Sequence, residues 1–192
     1  MAQETARDQS RQRQSPKAYQ LKITLSDSVP DIWRRVLVPA HITLAELHDI
    51  LQHTMGWESQ HDYGFHQGVS PQKSSFETEQ VLSAVLAEIA NSPLYYLYDF
   101  KGGWLHRIEV EALEVGADTS EVPTCLAGAE ACPIENSGGV WGYDELMERL
   151  DDPSDPEYMD LIEKYGSFDP GAFSVADVND RLRAHSSRPT KA

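Results

Sequence analysis

The sequence predicts a single α+β domain with a mixed, mainly antiparallel β-sheet and helices packed on it. Three features indicate this class. Several segments alternate apolar and polar residues with a period of two, which is typical of strands with one buried face. Two other segments repeat apolar residues at helical spacing. Short turns join consecutive strands, and a length of 192 residues fits one domain of ordinary size.

The first two strands are predicted at residues 19–25 and 31–39, where they form a hairpin around the turn at 26–28. Pro39 is predicted to end the second strand, because proline has no backbone N–H donor for pairing. Arg34 and Arg35 are consecutive residues of this strand, so their side chains lie on opposite faces.

A helix is predicted after this hairpin. Thr43 and Glu46 have the spacing of a capping box, in which each side chain satisfies an otherwise unpaired N–H group at the start of the helix. Gly56 suits the left-handed position that ends many helices. The apolar stripe is formed by Leu44, Leu47, Ile50, Leu51 and Met55. His48, Gln52 and His53 fall off this stripe and are predicted at the surface.

The middle of the chain predicts more strands and a second helix. A short strand is expected at residues 61–66, a loop at 67–78 and a helix at 79–90. Strands at 94–98 and 106–113 then form a hairpin joined by residues 99–104. His106 shares a face with Ile108 and is predicted to point into the core or into a pocket.

The second half of the chain predicts short helices at residues 144–150 and 157–165, separated by a segment with two prolines. Ser174 predicts the start of a last helix that carries Val178 and Leu182. We therefore expect a folded domain at 19–184, a disordered polar tail at 1–18 and a frayed tail at 185–192.

Residues 125–143 contain both cysteines, Pro133 and the pair Gly138 and Gly139, and they are predicted to form an irregular loop. We expect this loop to form one wall of a ligand site, with the hairpin at 99–106 as the other wall. The candidate ligand-binding residues are Asp99, Trp104, His106, Glu135, Gly138, Gly139, Trp141 and Tyr143.

The composition restricts the partners. Acidic residues outnumber basic residues 31 to 16, which gives a net charge of −15 and disfavours direct DNA binding. Between residues 125 and 165 the ratio is eleven to two, so a basic or peptide partner is expected there if anywhere. Two cysteines and no export signal indicate the reducing cytoplasm, and no apolar run is long enough to span a membrane.

Taken together, several of these motifs resemble the plasmid pRiA Orf-three-like family over about residues 19–182. The motifs are Ile32-Trp33-Arg34-Arg35-Val36, Leu44 with Leu47-His48, Met55-Gly56-Trp57, Tyr98-Asp99-Phe100 with Trp104 and His106, and Cys125 through Gly138-Gly139 to Gly142-Tyr143. The resemblance implies one α+β domain with a mixed sheet and no particular chemistry. Some members carry the label TnpR, a passenger protein of insertion elements, so it also implies an association with mobile elements.

The chain departs from the family pattern at three places. Lys101-Gly102 stands where the family usually has Gly-Asp, and His61-Asp62-Tyr63 stands where it commonly has His-Leu-His. The central loop reads Pro133-Ile134-Glu135-Asn136-Ser137 where Pro-Pro-Glu-Asp and a Cys or other small residue are typical. The chain therefore lacks a carboxylate, a histidine and a possible third thiol that the family has at these positions. If those residues form a metal or catalytic site in the family, part of that site is missing here.

A serine recombinase needs a nucleophilic serine among clustered arginines, and it is not expected in so acidic a chain. Three other functions remain open. Of these we expect a binding or interaction module for a small molecule or a protein, rather than an enzyme. The first alternative is an enzyme that uses Glu135, Asp99 and His106 as acid or base groups, with no catalytic residue assignable from the sequence. The second is a structural zinc site with Cys125, Cys132 and His106 or His61 as ligands, although the cysteines are spaced too widely for the common motifs.

Overall fold

The computed structural model describes residues 17–69, 76–90, 92–114 and 123–186. Six strands and five helices occur in these residues. The strands are β1 (Ala18–Leu25), β2 (Trp33–Pro39), β3 (Tyr63–Gln67), β4 (Leu94–Tyr98), β5 (Trp104–Glu114) and β6 (Thr124–Ala129). The helices are α1 (Leu44–Met55), α2 (Leu82–Ile89), α3 (Gly139–Leu150), α4 (Tyr158–Tyr165) and α5 (Val175–Ser186).

The strands form one sheet in the order β3-β4-β5-β1-β2-β6. All five pairings between neighbouring strands are antiparallel. The predicted α+β class with a mainly antiparallel sheet is therefore confirmed. The predicted polar tails lie almost wholly outside the described residues, but β1 begins at Ala18 and α5 continues to Ser186. Half of the predicted loop at 67–78, residues 70–75, also lies outside them.

One face of the central strands is buried and the other is partly open, as the period-two alternation predicts. In β1 and β2 buried and half-buried residues alternate along the strand. The inner face joins α1, α2 and α5 in one hydrophobic core whose largest fully buried side chains include Trp104, Tyr96, Tyr98 and Phe65. On the open face, Arg35 pairs with Glu111 across the sheet. None of the described helices is both long and apolar enough to cross a bilayer.

Helix α1 has the predicted ends but buries more than its apolar stripe. Thr43 and Glu46 form the capping box, and Gly56 adopts the left-handed conformation at φ +93°. The prediction that His48 and Gln52 lie at the surface is wrong, because these side chains are only 5% and 1% exposed. They contact the Tyr96 hydroxyl at 2.7 and 3.0 Å, so the helix buries a polar stripe against β4 as well as its leucines.

The prediction of an irregular loop at 125–143 is wrong at both ends of this segment. Residues 124–129 form β6, which pairs with β2, and Gly139 already begins α3. Only the segment between them, which we call the 130–138 loop, is irregular. The outer edge of β6 is closed by Asn179 of α5, whose side chain accepts a hydrogen bond from Cys125 N at 2.7 Å and donates one to Cys125 O at 3.0 Å.

Candidate functional site

The segment after the 130–138 loop packs directly against the turn of the β4–β5 hairpin, whereas the sequence analysis expected the loop and the hairpin to form two walls of a ligand site. The two backbones meet at Gly139 and Gly102, where a Cβ atom on Gly139 would lie 1.8 Å from the Gly102 carbonyl oxygen. Gly139 also has φ +79°, a conformation that residues with a side chain rarely adopt. Glycine is therefore required at 139 to bring the loop and the hairpin together.

Glu135 fastens this loop to two other segments. Its Oε1 atom accepts a short hydrogen bond from the Tyr98 hydroxyl at the end of β4, and its Oε2 atom accepts one from Glu58 N at 2.9 Å. The Tyr98 oxygen in turn accepts a hydrogen bond from Gln60 N at 2.8 Å. Burial, and secondarily the bond to Glu135, raise the pKa of Tyr98. Both carboxylate oxygens of Glu135 are thus engaged in holding the loop.

His61 lies beside this junction and connects the hairpin with the loop. Its Nε2 atom is 2.6 Å from Asn136 Oδ1, so this nitrogen carries the proton and donates it. Its Nδ1 atom is 3.9 Å from Asp99 Oδ1. Asp99 and Asn136 both have positive φ angles, of 53° and 69°, so each of the two turns presents its side chain from a tight bend.

Trp104 and His106 do not line an open site. Both side chains are 0% exposed, and His106 Nδ1 donates a hydrogen bond to Trp104 O at 3.0 Å. Burial lowers the pKa of His106 to about 4. A side chain enclosed in this way has no contact with solvent or with a ligand outside the core, so the structure does not bring His106 together with Glu135 as an acid–base pair.

Two other predicted site residues also lie away from a shared cavity. Trp141 is 84% exposed on the first turn of α3, where it points into solvent instead of forming a wall. Tyr143 is buried, its ring packs edge-on against Phe168, and burial raises its pKa to about 12. Gly138 caps α3 from a left-handed conformation and serves the backbone rather than a ligand.

The two cysteines are free thiols. Cys125 is 1% exposed in β6, and burial raises the pKa of both Cys125 and Cys132. In the part of the chain that the structure describes, no three histidine, cysteine or acidic side chains come close enough together to hold a metal ion. The proposed zinc ligands Cys125, Cys132 and His106 therefore do not converge in the described residues.

An open cleft of about 920 Å³ lies on the other side of the 130–138 loop. Three chain segments form its walls: residues 55–60 after α1, residues 131–136 of the loop, and residues 168–181 up to and within α5. The aromatic side chains of the lining are Trp57, Phe168 and Phe173. Trp57 is fixed by a hydrogen bond from its indole N–H to Pro133 O at 2.9 Å.

Arg34 lies in the lining of this cleft and is only 2% exposed. Its Nη1 atom donates to Trp33 O and Ala129 O at 2.8 and 2.7 Å, and its Nη2 atom donates to Glu130 O at 2.8 Å. Among the described residues, the Nε atom has no hydrogen-bond partner. The guanidinium carbon lies 4.4 Å from the centre of the Phe173 ring. Desolvation lowers the pKa of Arg34.

Arg181 of α5 forms a second cationic part of the cleft. It is exposed, and its Nε atom donates to His53 O at 2.9 Å, just before the end of α1. Among the described residues, no carboxylate lies within 4.0 Å of either Arg34 or Arg181. The sequence predicted neither residue for the site. One signal was available for Arg34, because it shares the buried face of β2 with Val36 and Val38 and is the one cation there.

Comparisons with known proteins agree with this fold. The chain is similar to the uncharacterized protein y4hQ of Sinorhizobium fredii (strain NBRC 101917 / NGR234), with 37% identity over 171 residues that cover 83% of this chain and 87% of that protein. It is also similar to the crystal structure of a protein of unknown function, MM3350 from Methanosarcina mazei Go1, with a TM-score of 0.74 and 32% identity. That alignment covers 85% of this chain and 98% of the other. Residues 17–177 match the family described as plasmid pRiA4b ORF-3-like protein, and the chain therefore belongs to this family.

Proposed function

We propose that this domain binds a small molecule in the cleft between residues 55–60, the 130–138 loop and residues 168–181. The observation that supports this most directly is the cleft itself, an open volume of about 920 Å³ bordered by segments from three distant parts of the chain. Clefts of this size that combine aromatic walls with a few polar groups are typical of ligand sites. The site differs from the one expected from the sequence, because the hairpin at 99–104 supports the loop from behind instead of lining the cleft.

Binding is a better description than catalysis for the groups that converge here. The two oxygens of Glu135 are occupied by Tyr98 and Glu58, and His106 is enclosed in the core. His106 therefore has no access to a ligand in the cleft, and Glu135, which lines the cleft, already accepts two hydrogen bonds that hold the loop. We also propose a cytoplasmic location, which is supported by two free cysteines in the structure.

A ligand screen on matched variants tests the proposal. Ala172 is exposed and lines the cleft, so Ala172→Trp fills the cleft without disturbing the core. Ala176 is also exposed, but it does not line the cleft, so Ala176→Trp is the control. We expect at least one compound of a metabolite library to raise the melting temperature of the wild type and of Ala176→Trp, with Ala172→Trp abolishing the shift.

The result that would overturn this proposal is a set of ligands that stabilise Ala172→Trp as well as the wild type, since they would bind elsewhere. A library without any stabilising compound would count against it too. Conversion of a bound compound into a product, lost in Glu135→Gln, would instead support the enzyme alternative.

A further inference from the structure

The cleft concentrates two cations that the rest of the fold leaves without an acidic partner. The chain has 31 acidic and 16 basic residues, so carboxylates are abundant. Arg35, Arg107, Arg149 and Arg183 each pair with one or two of them. Arg34 and Arg181 line the same cleft, and neither has a carboxylate of the described residues within 4.0 Å.

Arg34 carries the larger desolvation penalty of the two arginines, because its side chain is buried and that of Arg181 is exposed. Taking a guanidinium out of water is strongly unfavourable unless it is paired or fully hydrogen-bonded. Three backbone carbonyl oxygens and the face of Phe173 satisfy part of this requirement, and the buried Nε donor has no partner in the part of the chain that the structure describes. These carbonyl groups are neutral, so the positive charge of the Arg34 guanidinium is not compensated by them and attracts anions into the cleft.

Arg181 adds a second charge at the wall. Its one hydrogen bond within the described residues, to His53 O, uses only the Nε donor and leaves the two terminal nitrogens of an exposed guanidinium for a ligand. Both guanidinium groups line the same cleft, so an anion bound there would offset their mutual repulsion.

Three acidic side chains also line the cleft, but among the described residues none of them forms an ion pair with Arg34 or Arg181. Glu135 is held by Tyr98 and Glu58 N, and the Glu58 carboxylate accepts a hydrogen bond from Gln60 Nε2 at 3.0 Å. Asp177 lies one turn before Arg181 on α5, yet the two do not come within 4.0 Å.

We propose that the ligand of the cleft is an anion whose carboxylate or phosphate group lies between Arg181 and Arg34 beside Phe173. This inference rests on the proposed function, since it concerns the same cleft. Arg181 supplies the direct N–H donors and Arg34 supplies positive charge from below. A cationic or basic peptide partner, which the acidic composition suggested, does not suit this end of the cleft.

Three probes test the inference: inorganic phosphate, pyrophosphate and succinate, titrated at low ionic strength. Calorimetry measures the affinity, and backbone amide shifts in NMR spectra locate the site. Arg181→Gln removes an exposed side chain, so the fold is retained. Arg183→Gln is the matched control, because it removes an exposed arginine of the same helix that does not line the cleft. Stronger binding of succinate or of the phosphates identifies which oxyanion the site prefers.

We expect saturable binding of at least one probe, with amide shifts concentrated at residues 131–136 and 171–178. Loss of one charge-assisted contact should weaken binding by about tenfold in Arg181→Gln and by less than about twofold in Arg183→Gln. Absence of binding by all three probes, equal effects of the two variants, or shifts outside the cleft would overturn the inference. If neutral compounds still bind and are blocked by Ala172→Trp, the proposed function stands and only the anionic class is wrong.

Discussion

Buried histidines should make this protein lose stability as the pH falls below neutrality. Burial lowers the pKa of His106 from 6.5 to about 4. Below pH 6.5 the unfolded chain therefore binds a proton that the folded chain does not, so stability is present above pH 6.5 and is lost as the pH falls toward 4. Between pH 7 and pH 5 this linkage costs about 1.8 kcal/mol. Such a loss corresponds to a decrease of about 4–7 °C in melting temperature.

His48 should contribute in the same direction. It is 5% exposed, stacks on Tyr63 with 3.5 Å between ring centres, and has its pKa lowered by burial to about 4. The Tyr96 oxygen accepts a hydrogen bond from Gln52 Nε2, and His48 Nδ1 lies 2.7 Å from the same oxygen. Protonation of the His48 ring would place a charge in the core, so burial disfavours it in the folded state.

Urea denaturation at several pH values measures the effect. The net charge of −15 acts in the opposite sense, because carboxylate repulsion weakens as the pH falls. The comparison of variants removes this term. His106→Gln keeps a donor for Trp104 O and does not titrate, and His48→Phe keeps the ring stack. Each variant should lose close to half of the histidine contribution between pH 7 and pH 5. If both variants show the wild-type pH dependence, the histidines are not responsible and the reasoning is wrong.

Three further predictions concern the loop, the thiols and the exposed tryptophan. Gly139→Ala should lower the free energy of unfolding by at least about 2 kcal/mol, because its Cβ meets a carbonyl oxygen at 1.8 Å. Gly103 has a similar φ of +77°, but a Cβ atom there would meet no other atom, so Gly103→Ala should lower the free energy of unfolding less. Denaturation experiments on the two variants separate the cost of the backbone conformation from the cost of the steric clash. Cys125 and Cys132 should react slowly with DTNB in the folded protein and quickly in denaturant, since burial raises the pKa of both thiols. If the protein instead contains stoichiometric zinc, and the zinc is lost when both cysteines are replaced by serine, the cysteines belong to a metal site. Trp141→Ala should change the melting temperature little, with a free-energy change within about 0.5 kcal/mol, and a larger loss would show that the 84% exposed ring is packed in solution.

Sequence patterns predicted those elements in which one face is apolar and the other polar. Strands β1 and β2 and helix α1 have clear periods and clear end signals, and the structure places their ends within two residues of the predicted ones. Strand β6 has no such period, because its sequence Thr-Cys-Leu-Ala-Gly-Ala consists mostly of small residues. Its pairing with β2 and its closure by Asn179 are long-range contacts that a local pattern does not contain.

The site was harder to predict for the same physical reason. Glu135 was selected for its charge, but the structure uses both of its oxygens to hold the loop. The cleft is lined by residues that are far apart in the sequence, so their proximity follows only from the fold. Arg34 could have been identified as a lone cation on a buried strand face, since a buried charge needs a partner. No comparable signal marks Arg181, which is an ordinary exposed helix residue until α5 packs beside α1.

The acidity of the whole protein narrows the class of anion that the cleft could accept. A net charge of −15 repels every approaching anion, and this repulsion acts over about 8 Å at physiological ionic strength. Two arginines can overcome it only at short range, within the cleft. A free phosphate gains contacts with these charges alone, whereas an anion with an apolar body also gains contacts with Trp57, Phe168 and Phe173. We therefore expect added salt to weaken inorganic phosphate more than an aromatic carboxylate or phosphate of the same charge. That ranking distinguishes a built site from nonspecific attraction to exposed arginines, for which the apolar body would make no difference.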